Sequence, residues 1–424
     1  MAPGPPARAS STEAVSVSDS QASRSAQQQV AQAAELRKVH EAFAWFRSHA
    51  RELEDLQLEV TSIAAPPWGE AARSAWLEAR FSDLALSDVH QDELGNVFAI
   101  RPGTDANAPY IALSAHIDTV FPARTTVQVR RDAGKLYGPG ISDNSSGIVA
   151  LLAIAGAMQA ANLSNAAPVL FIGDVGEEGE GDLRGMRHIF QQPKWSASIA
   201  SLVVLDGAGT DTIIAEALGS RRYEVTVRGH GGHSWSDFGV ANPILALARI
   251  IDRFAGTPVP ALPKTTYNIG MINGGTSVNS IPESATMKVD TRSASVEQLD
   301  RLESALHEAV DAITSDSASR KKQELTAEVR IIGNRPAADL PVESQLLKAI
   351  RAVDAQLNNA ARIQRASTDA NVPLSLGREA IAIGAGGSGG GAHTVSEWYD
   401  PTGRDLGLKR ILLLILALAG VADE

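Results

Sequence analysis

Four short apolar runs constrain this chain more than any other feature: Ile111–Ala115, Val169–Gly173, Leu202–Leu205 and Ala380–Gly384. Each has the length and make-up of a strand buried on both faces. Helical stretches separate them, most clearly Gly147–Ala161. That alternation predicts an α/β fold with a mixed, mostly parallel sheet and helices on both faces. Directly after the runs come His116 and Asp118, then Asp174, Glu177 and Glu178, then Asp206; His393 follows the fourth run after a glycine-rich loop. Open α/β sheets build their sites at the carboxyl ends of strands. Four strand ends that bring imidazoles and carboxylates to one sheet edge point to chemistry there.

The composition narrows that chemistry. Lys plus Arg total 38 against 49 Asp plus Glu, a net charge of −11, which argues against a nucleic-acid partner. Cysteine is absent, so disulfides, thiolate metal sites and cysteine nucleophiles are excluded. Any metal must be held by His, Asp and Glu. The apolar run Ile411–Ala419 is about half the length needed to span a bilayer and reads as a buried final helix. The first residues lack the apolar core of a signal peptide. No membrane partner is expected, and the location expected is cytoplasmic.

Residues 1–33 are rich in Ala, Ser, Gln and Pro and read as an extension that is disordered or weakly helical. The spacing predicts helices over Val39–Leu58 and Glu70–Phe81, divided by Pro66 and Pro67. From about Arg221 to Gly333 the pattern changes to strand, helix, strand, helix, strand: Tyr223–Val227, Pro243–Phe254, Thr286–Thr291, Val296–Ile313 and Leu325–Ile332. This compact α+β unit lies between Asp206 and His393, so it reads as an insertion. The organisation expected is a catalytic domain in two parts, 34–217 and 334–424, interrupted by an inserted domain over 218–333.

Taken one at a time, the polar residues have ordinary explanations. Asp118 is two residues from His116, so both side chains of an extended segment point the same way and the carboxylate can fix the imidazole. Asp143, in a loop with three glycines and a proline, can be a helix cap or a bridging ligand. The adjacent Glu177 and Glu178 repel unless a cation compensates; one can ligate while the other serves as general base. Asp206 reads as a turn residue and His393 as a loop histidine. The glycines before His393 could cradle a phosphate, but no P-loop lysine follows. Together, however, two histidines and three carboxylates make five N and O ligands, too many for one tetrahedral ion. Two metals sharing one carboxylate fit the count. Zinc suits the donors, and cobalt or manganese would also.

These residues resemble the M20 family of co-catalytic zinc peptidases, which includes carboxypeptidase G-like enzymes, peptidase T and several deacylases. The runs Ser114–Pro122 (SAHIDTVFP) and Gly176–Gly185 (GEEGEGDLRG) look like its ligand and base motifs. Gly229–Ser234 (GHGGHS), Gly274–Pro282 (GGTSVNSIP) and Asp290–Arg292 (DTR) resemble motifs of its lid and dimerisation domain. The resemblance runs from about Leu36 to the C-terminus. It implies that His116, Asp143 and Asp206 hold one zinc and that Asp143, Glu178 and His393 hold the other. Glu177 would be the general base and Asp118 would orient His116. His233 would support the oxyanion in the partner subunit's site, Arg292 would grip a substrate carboxylate, and Asn279 would add a polar contact. A cis peptide after Asp143 and a homodimer through the lid are also implied. Gly232 precedes His233, where alanine is commoner.

The function expected is metal-dependent hydrolysis of an amide bond in a small peptide or N-acyl amino acid with a free carboxylate, from either chain end. An M28-type aminopeptidase has a similar ligand order, but the inserted segment argues against it. A catalytically silent binding protein on the same fold would not need every ligand and the base.

Overall fold

The computed structural model describes residues 25–318 and 324–422. They form two compact units. One takes in the chain up to Ala215 with Leu340–Gln364 and Leu376–Glu424; the other comprises Glu216–Asp339 and Arg365–Ser375. The second unit thus also takes in Arg365–Ser375, which the sequence reading assigned to the catalytic domain.

The first unit is built on a mixed sheet. Its strands run in the order Ser87–Gln91, Val97–Arg101, Val169–Asp174, Tyr110–His116, Ile199–Leu205, Glu379–Ile383 and Thr212–Ala217. Val169–Asp174, Tyr110–His116, Ile199–Leu205 and Glu379–Ile383 pair in parallel. These are the four expected strands, and every residue of Val169–Asp174 is buried. A strand with no exposed face needs cover on both sides, which is why its sequence is a continuous apolar run.

The helix Ser145–Ala160 is buried around nearly its whole circumference and packs on Tyr110–His116. Its N-cap is Asn144, whose Oδ1 accepts from the Gly147 amide at 3.2 Å. Asn144 Nδ2 also donates to the Leu205 carbonyl at 2.8 Å. A Cβ on Gly147 would lie 2.3 Å from Asn144 Oδ1 and 2.5 Å from Leu205 O, so only glycine fits this junction. The cap is therefore Asn144, and the neighbouring Asp143 side chain is free for other work. The last helix, Arg404–Ala419, is buried as its sequence implied. It carries the fully buried Arg410, whose guanidinium donates to both Asp354 oxygens at 2.6 and 2.9 Å.

Two expectations are sharpened at the N-terminus. Residues 1–24 of the extension lie outside the described residues; residues 25–35 take the helical of the two alternatives, with Ala26, Val30 and Ala33 buried. Spaced i, i+4 and i+7, these three form one apolar stripe, and an Ala/Gln-rich segment has ample helix propensity once that stripe is packed. The helix expected over Val39–Leu58 is two helices, Arg37–Ser48 and Ala50–Ser62, broken at His49. There ψ departs to 12° and Nδ1 lies 2.9 Å from Trp45 O.

In the second unit an antiparallel sheet runs in the order Thr265–Gly274, Ser284–Ser293, Gly219–Arg228, Thr326–Arg335. The helices Pro243–Ala255 and Val296–Ala318 pack on it. Tyr223, Val225 and Val227 alternate inward against Leu247, Ile250, Phe254 and Leu306, as a half-buried sheet requires. Asn242 caps the first helix through the amides of Ile244 and Leu245, and Pro243 occupies its first turn. The strand Thr265–Gly274 was not foreseen. It lies at the sheet's edge with Met271 and Ile272 exposed, and a bulge between Ile269 and Met271 breaks the alternation that would have marked it. Among the described residues no helix is long and apolar enough to cross a membrane.

Candidate metal centre

His116, Asp118, Asp143, Glu177, Glu178, Asp206 and His393 come together in the first unit. His116 ends its strand, buried, with Nε2 3.1 Å from Asp143 Oδ1 and 3.9 Å from Asp206 Oδ1. The other Asp143 oxygen, Oδ2, lies 3.2 Å from His393 Nε2, which is also 3.2 Å from Glu178 Oε1. Asp143 thus offers one oxygen to each imidazole. Two groups of three possible ligands result, His116–Asp143–Asp206 and Asp143–Glu178–His393, with the ligand atoms of each within 4.8 Å of one another. A third group, His116–Glu177–Glu178, overlaps them. The peptide between Asp143 and Asn144 is cis, as the resemblance implied.

The charges explain one another. Burial pushes the Asp143 carboxyl up, but the two imidazoles outweigh it and hold it well below the usual carboxylate range. Burial also opposes charge on His116; the carboxylates of Asp118 and Asp143 overcome it and raise the imidazole well above its ordinary value. Contacts with Asp143 and Glu178 raise His393 to about 10. Asp206 goes the other way, pushed to about 7 by burial and then by the Asp143 charge. Without other cations, protons on the histidines balance this carboxylate cluster. Five nitrogen and oxygen donors in two overlapping triads, with no thiolate, suit two divalent ions such as zinc, cobalt or manganese.

Asp118 does more than face His116. His116 Nδ1 is 3.1 Å from the Asp118 carbonyl and 3.5 Å from Oδ1. Both Asp118 carboxylate oxygens accept backbone amides, from Glu177 and Glu178, each at 2.9 Å. One buried carboxylate therefore ties the strand that ends in His116 to the loop that carries the adjacent glutamates. The buried Arg73 guanidinium places positive charge beside it while donating to the carbonyls of Ile63 and Ile117.

Sequence reasoning missed Glu397. It is fully buried, and its carboxylate accepts amides from Gly140, Ser142 and Asp143, each at 2.8 Å. A small sheet explains the meeting: Ser388–Gly390 pairs with Trp398–Asp400, which pairs with Lys135–Tyr137. The loops bearing Asp143 and His393 both leave this sheet, with Glu397 at their junction. The one available signal was its place four residues after His393. Close packing accounts for glycines of this run: a Cβ on Gly389 would lie 2.3 Å from Ser142 Oγ, and one on Gly390 2.7 Å from the Trp398 ring. His393 has φ 64°, a left-handed conformation that an ordinary L-residue adopts at some cost.

The remaining three site residues lie in the second unit. The short ladder of Gly232–His233 with Ser280–Ile281 joins His233 to the Asn279 loop, and the Ser234 amide donates to Asn279 O at 3.0 Å. This cluster adjoins the Ser284 end of the sheet, where the Gly229 amide donates to Glu283 O at 2.9 Å. Arg292 is near the other end of the same strand, eight residues or about 26 Å of extended chain from Ser284. Its Nε is 2.8 Å from Asp290 Oδ2. The structure therefore brings His233 and Asn279 together and keeps Arg292 apart from them.

Comparison with known proteins bears on the family and the fold. A protein from Aspergillus clavatus named a probable carboxypeptidase is 28% identical over 270 residues, covering 58% of this chain and 59% of that protein. The chain thus spans under two thirds of the length of the curated relatives it matches. A Staphylococcus aureus tripeptidase structure superposes with a TM-score of 0.70 at 21% identity, covering 87% of this chain and 98% of that one. The Bacillus subtilis YXEP protein, described as a dinuclear metal binding peptidase from the M20 family, gives 0.63 at 15% identity over 89% of this chain and all of that one. At these identities the structures establish the shared fold. The model of Peptidase family M20/M25/M40 matches residues 112–417, from the strand that carries His116 into the final helix, and the chain belongs to that family.

Proposed function

We propose that this protein is a two-metal hydrolase that cleaves the amide bond of a small peptide or N-acyl amino acid bearing a free carboxylate. The observation that carries the reading is Asp143, whose two oxygens face His116 and His393 at 3.1 and 3.2 Å. His116, Asp143 and Asp206 would hold one ion, and Asp143, Glu178 and His393 the other, with zinc the metal proposed. Two such ions supply Lewis-acid activation of water and of the scissile carbonyl. Glu177 takes the proton from the attacking water at its carboxylate and returns it to the leaving amine. Asp118 holds the backbone of Glu177 and Glu178 in place while fixing His116. His233 donates a hydrogen bond to the developing oxyanion, Asn279 adds a polar contact, and Arg292 binds the substrate carboxylate.

The separation within the second unit supports a homodimer through that unit. His233 lies by the Ser284 end of the strand and Arg292 about 26 Å of extended chain from Ser284, so one copy does not readily apply both to one small substrate. Two symmetry-related copies can, with His233 entering the partner's site. The test is hydrolysis of di- and tripeptides, γ-glutamyl peptides and N-acyl amino acids with added zinc, cobalt or manganese. Turnover that chelation abolishes and metal restores is expected. A fully metal-loaded protein inactive on every class would refute the reading.

A further inference from the structure

His233 sits in a turn whose hydrogen bonds leave its ring little choice. The Trp235 amide donates to His233 Nδ1 at 3.2 Å, and the Ser236 amide approaches the same atom at 3.5 Å. In return, Asp237 Oδ2 accepts the His233 amide at 2.8 Å and the Ser236 hydroxyl at 3.3 Å. The Asp237 amide closes the turn on His233 O at 3.0 Å. This is the reciprocal logic of a capping box, with an imidazole where a serine or threonine would stand. Gly231 and Gly232 bring the chain in with φ of 68° and 154°.

Backbone amides do not exchange donor for acceptor roles. An Nδ1 that receives one must present its lone pair, so the proton of the neutral ring resides on Nε2. The other tautomer, and the imidazolium, would set an N–H against an N–H. We infer that the 233–237 turn fixes His233 as an Nε2–H hydrogen-bond donor, and that Asp237 is the positioning residue that holds the turn. The purpose of this arrangement rests on the oxyanion role proposed for His233: a donor at the ring's distal edge, oriented before substrate arrives, is what a developing negative charge requires.

Two measurements test it. Long-range proton–nitrogen correlation on metal-free, 15N-labelled protein, with His233→Gln to assign the signal, reads the tautomer directly. An Nδ1 of lone-pair type and a protonated Nε2 are expected; a protonated Nδ1 overturns the inference. The second measurement is a kinetic cycle on the metal-loaded enzyme. His233→Ala should lower kcat by about 10², as loss of one oxyanion donor does. Asp237→Ala should lower kcat by about tenfold through misplacement of that donor, with KM nearly unchanged. Asp237→Asn, which keeps an oxygen for the His233 amide, should restore most of the rate. In the His233→Ala background, removal of Asp237 should cost little more. An equal loss in both backgrounds means that Asp237 is merely structural and overturns the positioning role. If His233→Ala itself leaves kcat unchanged, the oxyanion reading fails, and the nitrogen spectrum still decides the tautomer.

Discussion

Glu397 lets the structure be tested without touching a metal ligand. Its carboxylate receives three amides at 2.8 Å inside the protein. In Glu397→Ala, three buried donors lose their acceptor, at roughly 1–3 kcal/mol each, or ~3–9 kcal/mol together. Against this, burial raises the Glu397 carboxyl from 4.5 to about 7. That upward shift, reached even with the three amides in place, means the ionised group is held against burial at some cost, so the loss falls toward the low end of that range. The net local loss should be ~3 kcal/mol, about a hundredfold in an opening equilibrium. Glu397→Gln should behave differently. One carbonyl oxygen can still accept from Ser142 and Asp143, which share Oε1, while the amide nitrogen opposes the Gly140 N–H. Amide hydrogen exchange separates the cases. In the alanine variant Gly140, Ser142 and Asp143 should all exchange about 10²-fold faster; in the glutamine variant Gly140 alone should. Metal affinity should fall by about 10- to 100-fold in the alanine variant, the usual effect of removing a ligand's support. Unchanged exchange at the three amides, together with unchanged metal affinity, would refute the argument.

Other outcomes follow from the same geometry. Glu177→Gln should retain metal and lose turnover by about 10² or more, the contribution expected of a general base; measured zinc content with near-normal turnover would remove Glu177 from that role. Metal uptake near neutral pH should release protons, because His116 and His393 are both held protonated by their carboxylate neighbours; calorimetry in buffers of different ionisation enthalpy measures the number. The metal-free chain should lose stability as pH rises. His393 is raised from 6.5 to about 10, so its contribution is complete below 6.5 and lost as pH climbs through 10. Asp206, raised from 3.8 to about 7, acts in the same direction between those values, and melting temperatures of chelated protein across this range check the sign. Mixing Glu177→Gln with His233→Ala under subunit exchange should partly restore activity, since one site of each mixed dimer then has both its own base and a borrowed histidine; mixed dimers without activity would rule out the exchange of His233 between subunits.

The sequence by itself determined the central sheet and which polar residues gather at its edge. Strands buried on both faces must be continuous apolar runs, so Val169–Asp174 and its neighbours announce themselves. Polar residues at strand ends follow those runs directly, and the candidate ligands His116, Glu178 and Asp206 were legible for that reason. The edge strand Thr265–Gly274 was not, because an exposed edge with a bulge has neither a long apolar run nor clean alternation. The sequence leaves the N-terminal segment undecided between disorder and helix because its stripe of Ala26, Val30 and Ala33 has meaning only against a packed surface. Only the tertiary structure decided which carboxylate does which work. Asp143 and Asn144 are adjacent and both suited to capping; the pairing of Asn144 with Leu205 O, 61 residues on, assigns the cap and releases Asp143. Glu397 and Asp143 are 254 residues apart, and no local pattern can report a hydrogen bond that exists only once two loops leave the same small sheet. Spacing along a chain encodes which residues share a face or a strand end; it does not encode which distant backbone amides will need an acceptor when the faces meet.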